Sequence, residues 1–563
     1  MPSLRSRSAN RSNLSALTAL TVLSVLSACQ PAPRADTIVF GKTWTGDSAK
    51  PWVNAVAIAG DTVMATGDSA ELARLAGKDT KLISASGGLV VPGLSDQHTH
   101  FLSGGYQLSS VDLRDAASPQ EFVKRIKDFA TERKPGEWIL GGDWDHEKWP
   151  GSPLPRKEWI DSVTPHNPVF ISRLDGHMAL ANSLALKAAG ISKSSPEVAG
   201  GTIVRDPRTH EPTGVLKDNA QDAVYGAVPE TTAEQDDAAL RRAMEFVASK
   251  GVTAVSAVSA SWGEVAAFKR ARAAGHLTVR VSLYPALADW KRVADTLKAD
   301  GAGDDWIRVA GVKGFMDGSL GSTTAWFFEP YTDDPTTSGL SVTPVDSMKT
   351  WIFSADSAGL QVVVHAIGER ANATLIDIYD SVARAHGPRD RRFRIEHAQH
   401  LRPADVERMG HLDIIASMQP YHAIDDGRWA EKRLGPVRIH DAYVFRSLLD
   451  HHVHLDFGSD WTVAPIDPIL GIYAAVTRRT LDGKNPGGWL PDQKISVEEA
   501  LRSYTSENAY GVFAEKSRGR LTPGRKADLA IIDKDLSAIP AETIDQATIR
   551  LTMVGGKVVF QAH

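Results

Sequence analysis

Residues 93–100 (GLSDQHTH) contain the side-chain types that bind a metal ion. They follow the apolar run 89–92, which is typical of a strand end. Alternate side chains of a strand share one face, so Asp96, His98 and His100 are predicted to point the same way. Two neutral imidazoles on one face can bind a single divalent cation. The alternative interpretation is a polar loop that contains two histidines by chance.

The middle of the chain alternates strand and helix signals, with helical segments such as 233–250 and 345–358. This alternation indicates parallel strands joined by crossover helices. With one helix after each strand, it predicts an α/β fold built on a (β/α)8 TIM-like barrel. The strand candidates are 96–100, 252–256, 279–283, 309–313, 360–365, 393–397, 414–418 and 453–457.

Metal-ligating side chains recur where these strands end. The carboxyl ends of barrel strands meet at one mouth, so residues far apart in the chain can form one site. Each residue alone has a structural explanation, such as a hydrogen-bonded histidine, a paired lysine or an aspartate that caps a turn. Their joint occurrence at predicted strand ends favours a metal site. The candidate ligands are His98, His100, Lys313, His365, His397 and Asp460.

Short strand signals separated by turns flank this middle region. They occur in residues 37–90 and again in 515–563, which predicts one small β-sandwich built from both termini. The barrel is then assigned to residues 91–514. Residues 101–230 exceed a simple first crossover and are predicted to be an insertion that shapes the substrate pocket at the barrel mouth.

Composition limits the class of protein. The 563 residues are 42% hydrophobic and 23% charged, which is ordinary for a globular chain. The net charge of −5 and the lack of a later basic run argue against nucleic-acid binding. We expect a small-molecule substrate. A homodimer is a reasonable prior expectation.

The N-terminus has the organisation of an export signal. Three arginines precede the apolar segment 14–26, which is too short for an ordinary membrane span. The following Leu26-Ser27-Ala28-Cys29 resembles the lipobox of bacterial lipoproteins, with 1–28 as the signal peptide and 29–36 as a tether. Cys29 is then the lipidated residue, and Gln30 favours the outer membrane by resemblance to enterobacterial sorting rules. The alternative is an ordinary secretory signal with a chance cysteine.

Several motifs together resemble the amidohydrolase superfamily, and within it the amidohydrolase-3 or YtcJ-like family. The resemblance extends from about residue 37 to the C-terminus and implies a metallohydrolase barrel with a β-sandwich across both termini. The motifs are 91–100 (VPGLSDQHTH), 312–322 (VKGFMDGSLGS), 365–371 (HAIGERA), 395–399 (IEHAQ) and 458–461 (GSDW).

The resemblance implies a role for each candidate ligand. His98 and His100 would hold one metal, and His365 and His397 a second. Lys313 would be N6-carboxylated, because a bridging carbamate replaces a positive charge with a negative one between two cations. Asp460 would ligate metal and act as the base that moves the proton. Zn²⁺ is the first expectation from imidazole and carboxylate ligands, although Mn, Fe and Co also accept them.

Three further residues are candidates at the pocket. His177 lies in the insertion and His422 follows the seventh strand candidate, and either can donate a hydrogen bond to a developing oxyanion. Asp145 is a third candidate. Each of the three has pocket shaping as its structural alternative. We also expect apolar pocket walls from Trp144, Trp149, Trp326 and Trp461.

The function predicted on this basis is metal-dependent hydrolysis of a C–N bond other than a peptide bond, in an amide or N-acyl substrate. A deaminase or an esterase on the same scaffold is the second interpretation, since fold does not determine substrate. A lipid-anchored binding protein without turnover is the third. It is disfavoured because all the ligand candidates and Asp460 are present. The predicted location is the periplasmic face of the cell envelope.

Overall fold

The computed structural model describes residues 34–562. The predicted signal peptide, Cys29 and most of the tether lie outside the described residues. The first strand begins at Ala35, inside the predicted tether. Ala35 already belongs to the fold, because its N–H donates to the carbonyl of Leu75 and the residue pairs with Ala76.

The N-terminal elements are mostly strands. They are β1 (Ala35–Trp44), β2 (Trp52–Ala59), β3 (Thr62–Gly67), α1 (Ser69–Ala73), β4 (Ala76–Ser84), β5 (Leu89–Pro92), β6 (Leu94–Thr99) and α2 (Phe101–Gln107). The insertion then contains β7 (Val111–Asp112), α3 (Pro119–Ala130), β8 (Gly141–Trp144), α4 (Lys157–Asp161), β9 (Phe170–Arg173), β10 (Met178–Ala181), α5 (Ser183–Ala188), β11 (Gly201–Arg205), β12 (Pro212–Asp218) and α6 (Asp222–Tyr225).

Strands and helices alternate through the next region. They are α7 (Ala233–Ser249), β13 (Val252–Val258), α8 (Trp262–Ala273), β14 (Arg280–Tyr284), α9 (Trp290–Asp300), β15 (Ile307–Val309), β16 (Gly311–Phe315), α10 (Val345–Ser357), β17 (Gln361–Ala366), α11 (Glu369–His386), β18 (Arg394–His397), α12 (Pro403–His411), β19 (Ile415–Met418), α13 (Pro420–Asp426), α14 (Ala430–Arg438), α15 (Phe445–Asp450), β20 (Leu455–Phe457), α16 (Pro468–Thr477), α17 (Val497–Ser503) and α18 (Ser506–Gly511).

The chain ends with β21 (Leu529–Ile532), β22 (Ile549–Val554) and β23 (Lys557–Gln561). Short 3₁₀ helices occupy His146–Lys148, Asn219–Gln221, Leu287–Asp289, Ile439–Asp441, Pro491–Gln493 and Ala541–Gln546. Strands from both termini pair in one sheet of order β23-β22-β21-β5-β1-β2-β3, with β4 beside β1. The antiparallel pairing of β5 with β21 brings the two ends of the chain together.

The central strands form two parallel sheets that close on each other. One has the order β15-β14-β13-β6 and the other β16-β17-β18-β19-β20. Parallel bridges join Ala286 to Lys313 and Thr99 to Trp461, so the two sheets continue into a ring. Every residue of β17 is buried, as expected for a parallel strand covered on both faces. The strand ends that carry the predicted ligands therefore lie on one side of the ring.

The predicted fourth strand is divided in the structure. Its first half, β15, pairs with β14, whereas its second half, β16, pairs with β17. Ala310 separates the two halves, and its N–H donates to the carbonyl of Leu283. The chain changes sheets at this residue, which a continuous apolar run does not reveal.

The insertion has a sheet of its own, with the order β11-β12-β10-β9-β8-β7. Its core contains Phe122, Trp144, Trp149 and Ile171, all buried. The insertion is thus a packed unit rather than an extended loop. Between residues 34 and 562, no helix combines the length and the apolar content needed to cross a membrane.

Candidate metal centre

The first-strand histidines lie at the end of β6. His98 is fully buried, and its Nδ1–H donates to Oε2 of Glu396 across 2.6 Å. That hydrogen bond turns Nε2 of His98 toward Nζ of Lys313 and Oδ1 of Asp460, each at 3.4 Å. Nε2 of His100 lies 3.2 Å from the same Asp460 oxygen. One ligand atom from each of His98, His100 and Asp460 therefore converges on a common point, within 4.8 Å of one another.

The fifth- and sixth-strand histidines face each other, with ring centroids 4.4 Å apart. His365 uses Nε2 to donate to the carbonyl of Gly318 at 3.0 Å, which leaves Nδ1 available. His397 uses Nδ1 to donate to Oε1 of Gln419 at 2.8 Å, which leaves Nε2 available. A histidine held by one nitrogen in this way presents the other as a ligand atom of fixed orientation.

Burial favours the neutral form of His98, His365 and His397. It lowers the pKa of His98 to about 4, with the Lys313 charge acting in the same direction. Burial also holds the pKa values of His365 and His397 well below the usual range. Neutral imidazole is the form that ligates a metal, so the charge state fits the prediction.

Lys313 lies on β16 among these histidines, and its Nζ is 4.5 Å from the ring centroid of Phe315. Burial lowers the pKa of the Lys313 ammonium to about 8, although the carboxylates of Glu396 and Asp460 oppose the shift. A larger share of this amine is therefore uncharged near neutral pH than for an exposed lysine.

Asp460 stands between the two pairs of histidines. Its N–H donates to the carbonyl of His98 at 2.8 Å, which ties the loop after β20 to β6. Burial opposes ionisation of this carboxyl group, but His98, His397 and His100 hold its pKa well below the usual range. Oδ1 of Asp460 is buried and, within residues 34–562, has no hydrogen-bond partner. A buried carboxylate oxygen that lies near the imidazoles of His98 and His100 but meets no well-aligned hydrogen bond fits a bound cation.

Two of the candidate ligands have unusual backbone conformations. His397 has φ 74° and Asp460 has φ 58°, in the left-handed region that residues other than glycine rarely adopt. Backbone strain of this kind persists where the surrounding structure enforces it and is concentrated at functional sites. His397 is the last residue of β18, and Asp460 lies in the loop that follows β20.

Asp96 has a structural position rather than a ligating one. Its carboxylate accepts the N–H of His98 at 3.1 Å and the N–H of Ser459 at 3.0 Å, joining β6 to the loop that carries Asp460. Gly458 makes the close approach possible, because a Cβ there would lie 2.6 Å from the amide nitrogen of His98. Burial raises the pKa of Asp96 to about 7.

His177 and His422 both lie near the centre, in different surroundings. The ring of His177 is 4.9 Å from that of His365, and its Nδ1–H donates to Oδ1 of Asp218 at 2.7 Å. Burial lowers the pKa of His177, but the Asp218 carboxylate outweighs it and the net shift is upward. The ring of His422 is 6.4 Å from that of His397 and nearly parallel to it, and burial lowers its pKa.

The carboxylate of Asp145 forms ion pairs with two arginines. Its oxygens lie 3.1 Å from Nη2 of Arg173 and 3.3 Å from Nη2 of Arg428. Arg173 belongs to the insertion and Arg428 follows α13. Asp145 therefore ties the insertion to the barrel side of the pocket, which is the structural alternative for this residue.

Sequence reasoning missed the residues that orient the ligands. These are Glu396 for His98, Gln419 for His397 and Asp218 for His177. Glu396 adjoins a predicted ligand within a recognised motif, so a search for hydrogen-bonding neighbours of the ligands could have found it. Its contact with His98 joins positions 298 residues apart, which no local pattern shows.

A cavity of about 790 Å³ lies against the cluster. All six candidate ligands line it, as do Tyr106, Phe129, Trp138 and Tyr225 of the insertion. The expectation that Trp144, Trp149, Trp326 and Trp461 form these walls is wrong. Trp144 and Trp149 are core residues of the insertion, and Trp461 packs against Phe101 and Phe246. Trp326 lies beneath the guanidinium of Arg370.

Comparison with known proteins identifies the family. The sequence profile described as "Amidohydrolase family" matches residues 81–560. The chain belongs to the amidohydrolase family. The predicted resemblance is thereby confirmed. This amidohydrolase is 40% identical over 539 residues to Protein LONG AFTER FAR-RED 3 of Arabidopsis thaliana, covering 93% of this chain and 92% of the relative.

Two further comparisons bear on the activity. The amidohydrolase is 26% identical over 541 residues to the N-substituted formamide deformylase of Arthrobacter pascens, covering 93% of this chain and 98% of the relative. It also resembles the crystal structure of an uncharacterized metal-dependent hydrolase from Pyrococcus horikoshii OT3. That match has a TM-score of 0.72 and 29% identity, and it covers 90% of this chain and 99% of the other. The predicted fold class is confirmed, and the findings support a metal-dependent hydrolase.

Proposed function

We propose that this protein hydrolyses a C–N bond other than a peptide bond, in a small amide or N-acylated amine. The observation that carries the proposal is the ionised, buried Asp460, whose Oδ1 has no hydrogen-bond partner among the described residues and lies 3.4 Å from Nε2 of His98 and 3.2 Å from Nε2 of His100. A carboxylate in this position can accept a proton from water and return it to a leaving amine.

The donor set is suited to one or two divalent ions, and Zn²⁺ is the ion we propose. The residues that would hold it are His98, His100, Lys313, His365, His397 and Asp460, with Lys313 carboxylated at Nζ. When bound, such an ion polarises a carbonyl group and lowers the pKa of a ligated water from about 15.7 towards 7.

Side chains of the protein carry out proton transfer and stabilise the developing negative charge. Asp460 takes the proton as the water oxygen forms its bond to the carbonyl carbon. The same residue gives that proton to the nitrogen as the C–N bond breaks. In this proposal His177 donates from Nε2 to the carbonyl oxygen as negative charge develops there. Asp218 supports this role, because its carboxylate holds Nδ1–H and raises the pKa of the ring.

The cavity determines what size of substrate fits. A volume of about 790 Å³ lies in the range of sites for drug-sized molecules. Its walls combine aromatic rings with polar groups of the insertion, which suits an amine carrying an apolar substituent. The likeness to a deformylase of N-substituted formamides supports an N-acyl substrate of this kind.

The test is hydrolysis by the purified full chain loaded with Zn²⁺, Mn²⁺ or Co²⁺. The panel contains N-formyl and N-acetyl derivatives of aromatic and aliphatic amines, primary amides, matched esters and aminopurines. We expect release of free amine from the N-acyl or amide members and loss of activity after chelation. Turnover restricted to the esters or the aminopurines would contradict the proposed bond specificity.

We further propose that the protein is exported and anchored in the cell envelope through a lipid on Cys29. The support is the order of basic segment, apolar segment and small residues before that cysteine. The catalytic unit would then face the periplasm and meet substrates that have crossed the outer membrane.

A further inference from the structure

His422 has a buried ring nitrogen without a partner. The residue lies on α13, three positions after Gln419, and within residues 34–562 its Nε2 forms no hydrogen bond. A buried polar atom is normally satisfied, so an orphaned imidazole nitrogen beside a metal centre needs an explanation. The imidazole Nε2 is itself a common metal ligand.

The surroundings of His422 supply a ligand set. One donor atom from each of His397, His422 and Asp460 lies within 4.8 Å of the others. The rings of His397 and His422 are inclined by only 9°. These three residues form a second convergent group, distinct from His98, His100 and Asp460 but sharing the carboxylate with it.

His177 provides an informative contrast. It is also a cavity histidine close to a predicted ligand, but its Nδ1 is engaged by Oδ1 of Asp218 at 2.7 Å. A raised pKa follows from that carboxylate and suits a proton donor. For His422, no carboxylate within the described residues engages the ring in this way, so the two histidines have different chemistry available.

The start of α13 positions both members of the histidine pair. Gln419 is the residue before the helix, and its Oε1 accepts from Nδ1 of His397 at 2.8 Å. Pro420 is the first helical residue, where its fixed φ and missing N–H are tolerated. One turn of chain thus orients the free nitrogen of His397 and brings His422 alongside it.

We propose that His422 is an additional metal ligand. Together with His397 and Asp460, it would bind one ion of the metal centre. This assignment rests on the proposed metal centre and replaces the hydrogen-bond donor role that the sequence suggests for His422. Two imidazoles and one carboxylate are ligand types that suit Zn²⁺.

The experiment compares metal binding by the full chain and two matched variants, His422→Gln and His177→Gln. Each protein is stripped of metal and titrated with Zn²⁺ against a chromophoric chelator, and the metal retained after gel filtration is counted. Absorption spectra of the Co²⁺ forms report coordination directly. Circular dichroism establishes that each variant is folded.

We expect His422→Gln to weaken the binding of one Zn²⁺ ion per chain by at least about 100-fold and to change the absorption spectrum of the Co²⁺ form. This exceeds the tenfold to 100-fold loss typical of residues that only orient a ligand. His177→Gln should bind metal as the wild type does. His422→Asp, whose carboxylate can ligate, should recover at least about tenfold of the lost affinity.

Wild-type metal affinity and an unchanged Co²⁺ spectrum in His422→Gln would overturn the assignment. An equal loss of Zn²⁺ affinity in His177→Gln would also overturn the assignment. The loss would then result from changing any histidine of the cavity rather than from removing a ligand. Failure of His422→Asp to recover affinity counts against it as well. If the wild type itself binds no metal, the proposed metal centre fails, which is a separate and recognisable result.

Discussion

The Nδ1–H of His98 donates to Oε2 of Glu396 across 2.6 Å, although 298 positions separate the two residues. Arg394 in turn pairs with Glu396, so a buried cation, carboxylate and imidazole follow one another beneath the site. Burial raises the pKa of the Glu396 carboxyl group, but Arg394 and His98 outweigh it and lower the value to about 2. The contact selects the tautomer of His98 that presents Nε2 to a metal.

Glu396→Gln should therefore weaken metal binding by about tenfold to 100-fold, since a neutral amide orients and polarises the imidazole less well. The measurement is a chelator competition with Zn²⁺. Glu396→Ala serves as the more severe variant, because it also leaves the Arg394 charge buried and unpaired and should destabilise the fold by about 3–5 kcal/mol. Unaltered Zn²⁺ affinity in both variants would show that His98 needs no such support.

Asp460→Asn should lower kcat by at least about 100-fold, because the amide cannot accept the proton of the attacking water. The size and shape of the side chain are retained. Release of amine from an N-acyl substrate measures the effect, and metal content is determined in parallel. If kcat stays at the wild-type level with the metal content unchanged, another group moves the proton.

Lys313 should become a carbamate when the protein is loaded with metal in the presence of bicarbonate. The reaction uses the neutral amine, whose share is increased by the pKa of about 8, and it converts a positive charge to a negative one. Loading with ¹³C-bicarbonate should produce a carbamate carbon resonance in the wild type. Lys313→Ala should lack the resonance and bind less metal. A wild type that gives no resonance and loads fully without carbon dioxide would refute the carbamate.

His454 should make folding stability depend on pH. Its ring donates to Glu507 at 2.7 Å and stacks on Tyr510 at 4.0 Å between ring centroids. The hydrogen bond to Glu507 raises the pKa of His454 although burial opposes it. The pKa is higher in the folded than in the unfolded chain, so the stabilisation is complete below about pH 6.5 and is lost as pH rises through the folded value.

Thermal unfolding of the wild type and His454→Gln from pH 5.5 to 8.5 measures this effect. The difference in Tm between the two proteins should be largest at the acid end and should shrink towards pH 8.5. His276→Gln, a change at an exposed histidine, is the control and should follow the wild type throughout. If the difference in Tm between the wild type and His454→Gln is constant with pH, the stabilisation by His454 comes from packing rather than from its charge.

Cys29→Ser should release the protein from membranes, since the thiol is the proposed site of lipid attachment. Fractionation of cells expressing each form, followed by detergent partition, measures this directly. The wild type should follow the membrane and the serine variant the soluble periplasmic fraction. Retention of the variant in membranes would count against a lipid anchor.

The sequence predicts the strand ends, and the side chains singled out at those ends lie close together in the structure, because both are recognisable from short-range patterns. Parallel strands buried on both faces read as apolar runs, and their last residues must meet at one mouth. The sequence therefore predicts that residues such as His365 and His397 lie at this mouth. The division of the fourth strand at Ala310 was not predicted, since it depends on which neighbouring strand each half pairs with.

The tryptophans show the limit of composition as a guide. Composition alone predicts Trp144 and Trp149 in the pocket, because large aromatic rings suit a substrate cavity. The insertion instead has its own sheet and needs its own core, and these rings fill it. Whether a ring faces a cavity or a core depends on the packing of elements distant in sequence, which alternation and motif spacing do not encode.

The two parallel sheets of the ring are connected at two seams, where single bridges join Ala286 to Lys313 and Thr99 to Trp461. Candidate ligands occur on both sides of these seams, with His98 on one sheet and Lys313, His365 and His397 on the other. An ion bound by ligands from both sheets would link the sheets across the seams. Metal would then strengthen closure of the ring as well as chemistry, with a gain in stability that grows with the logarithm of its free concentration.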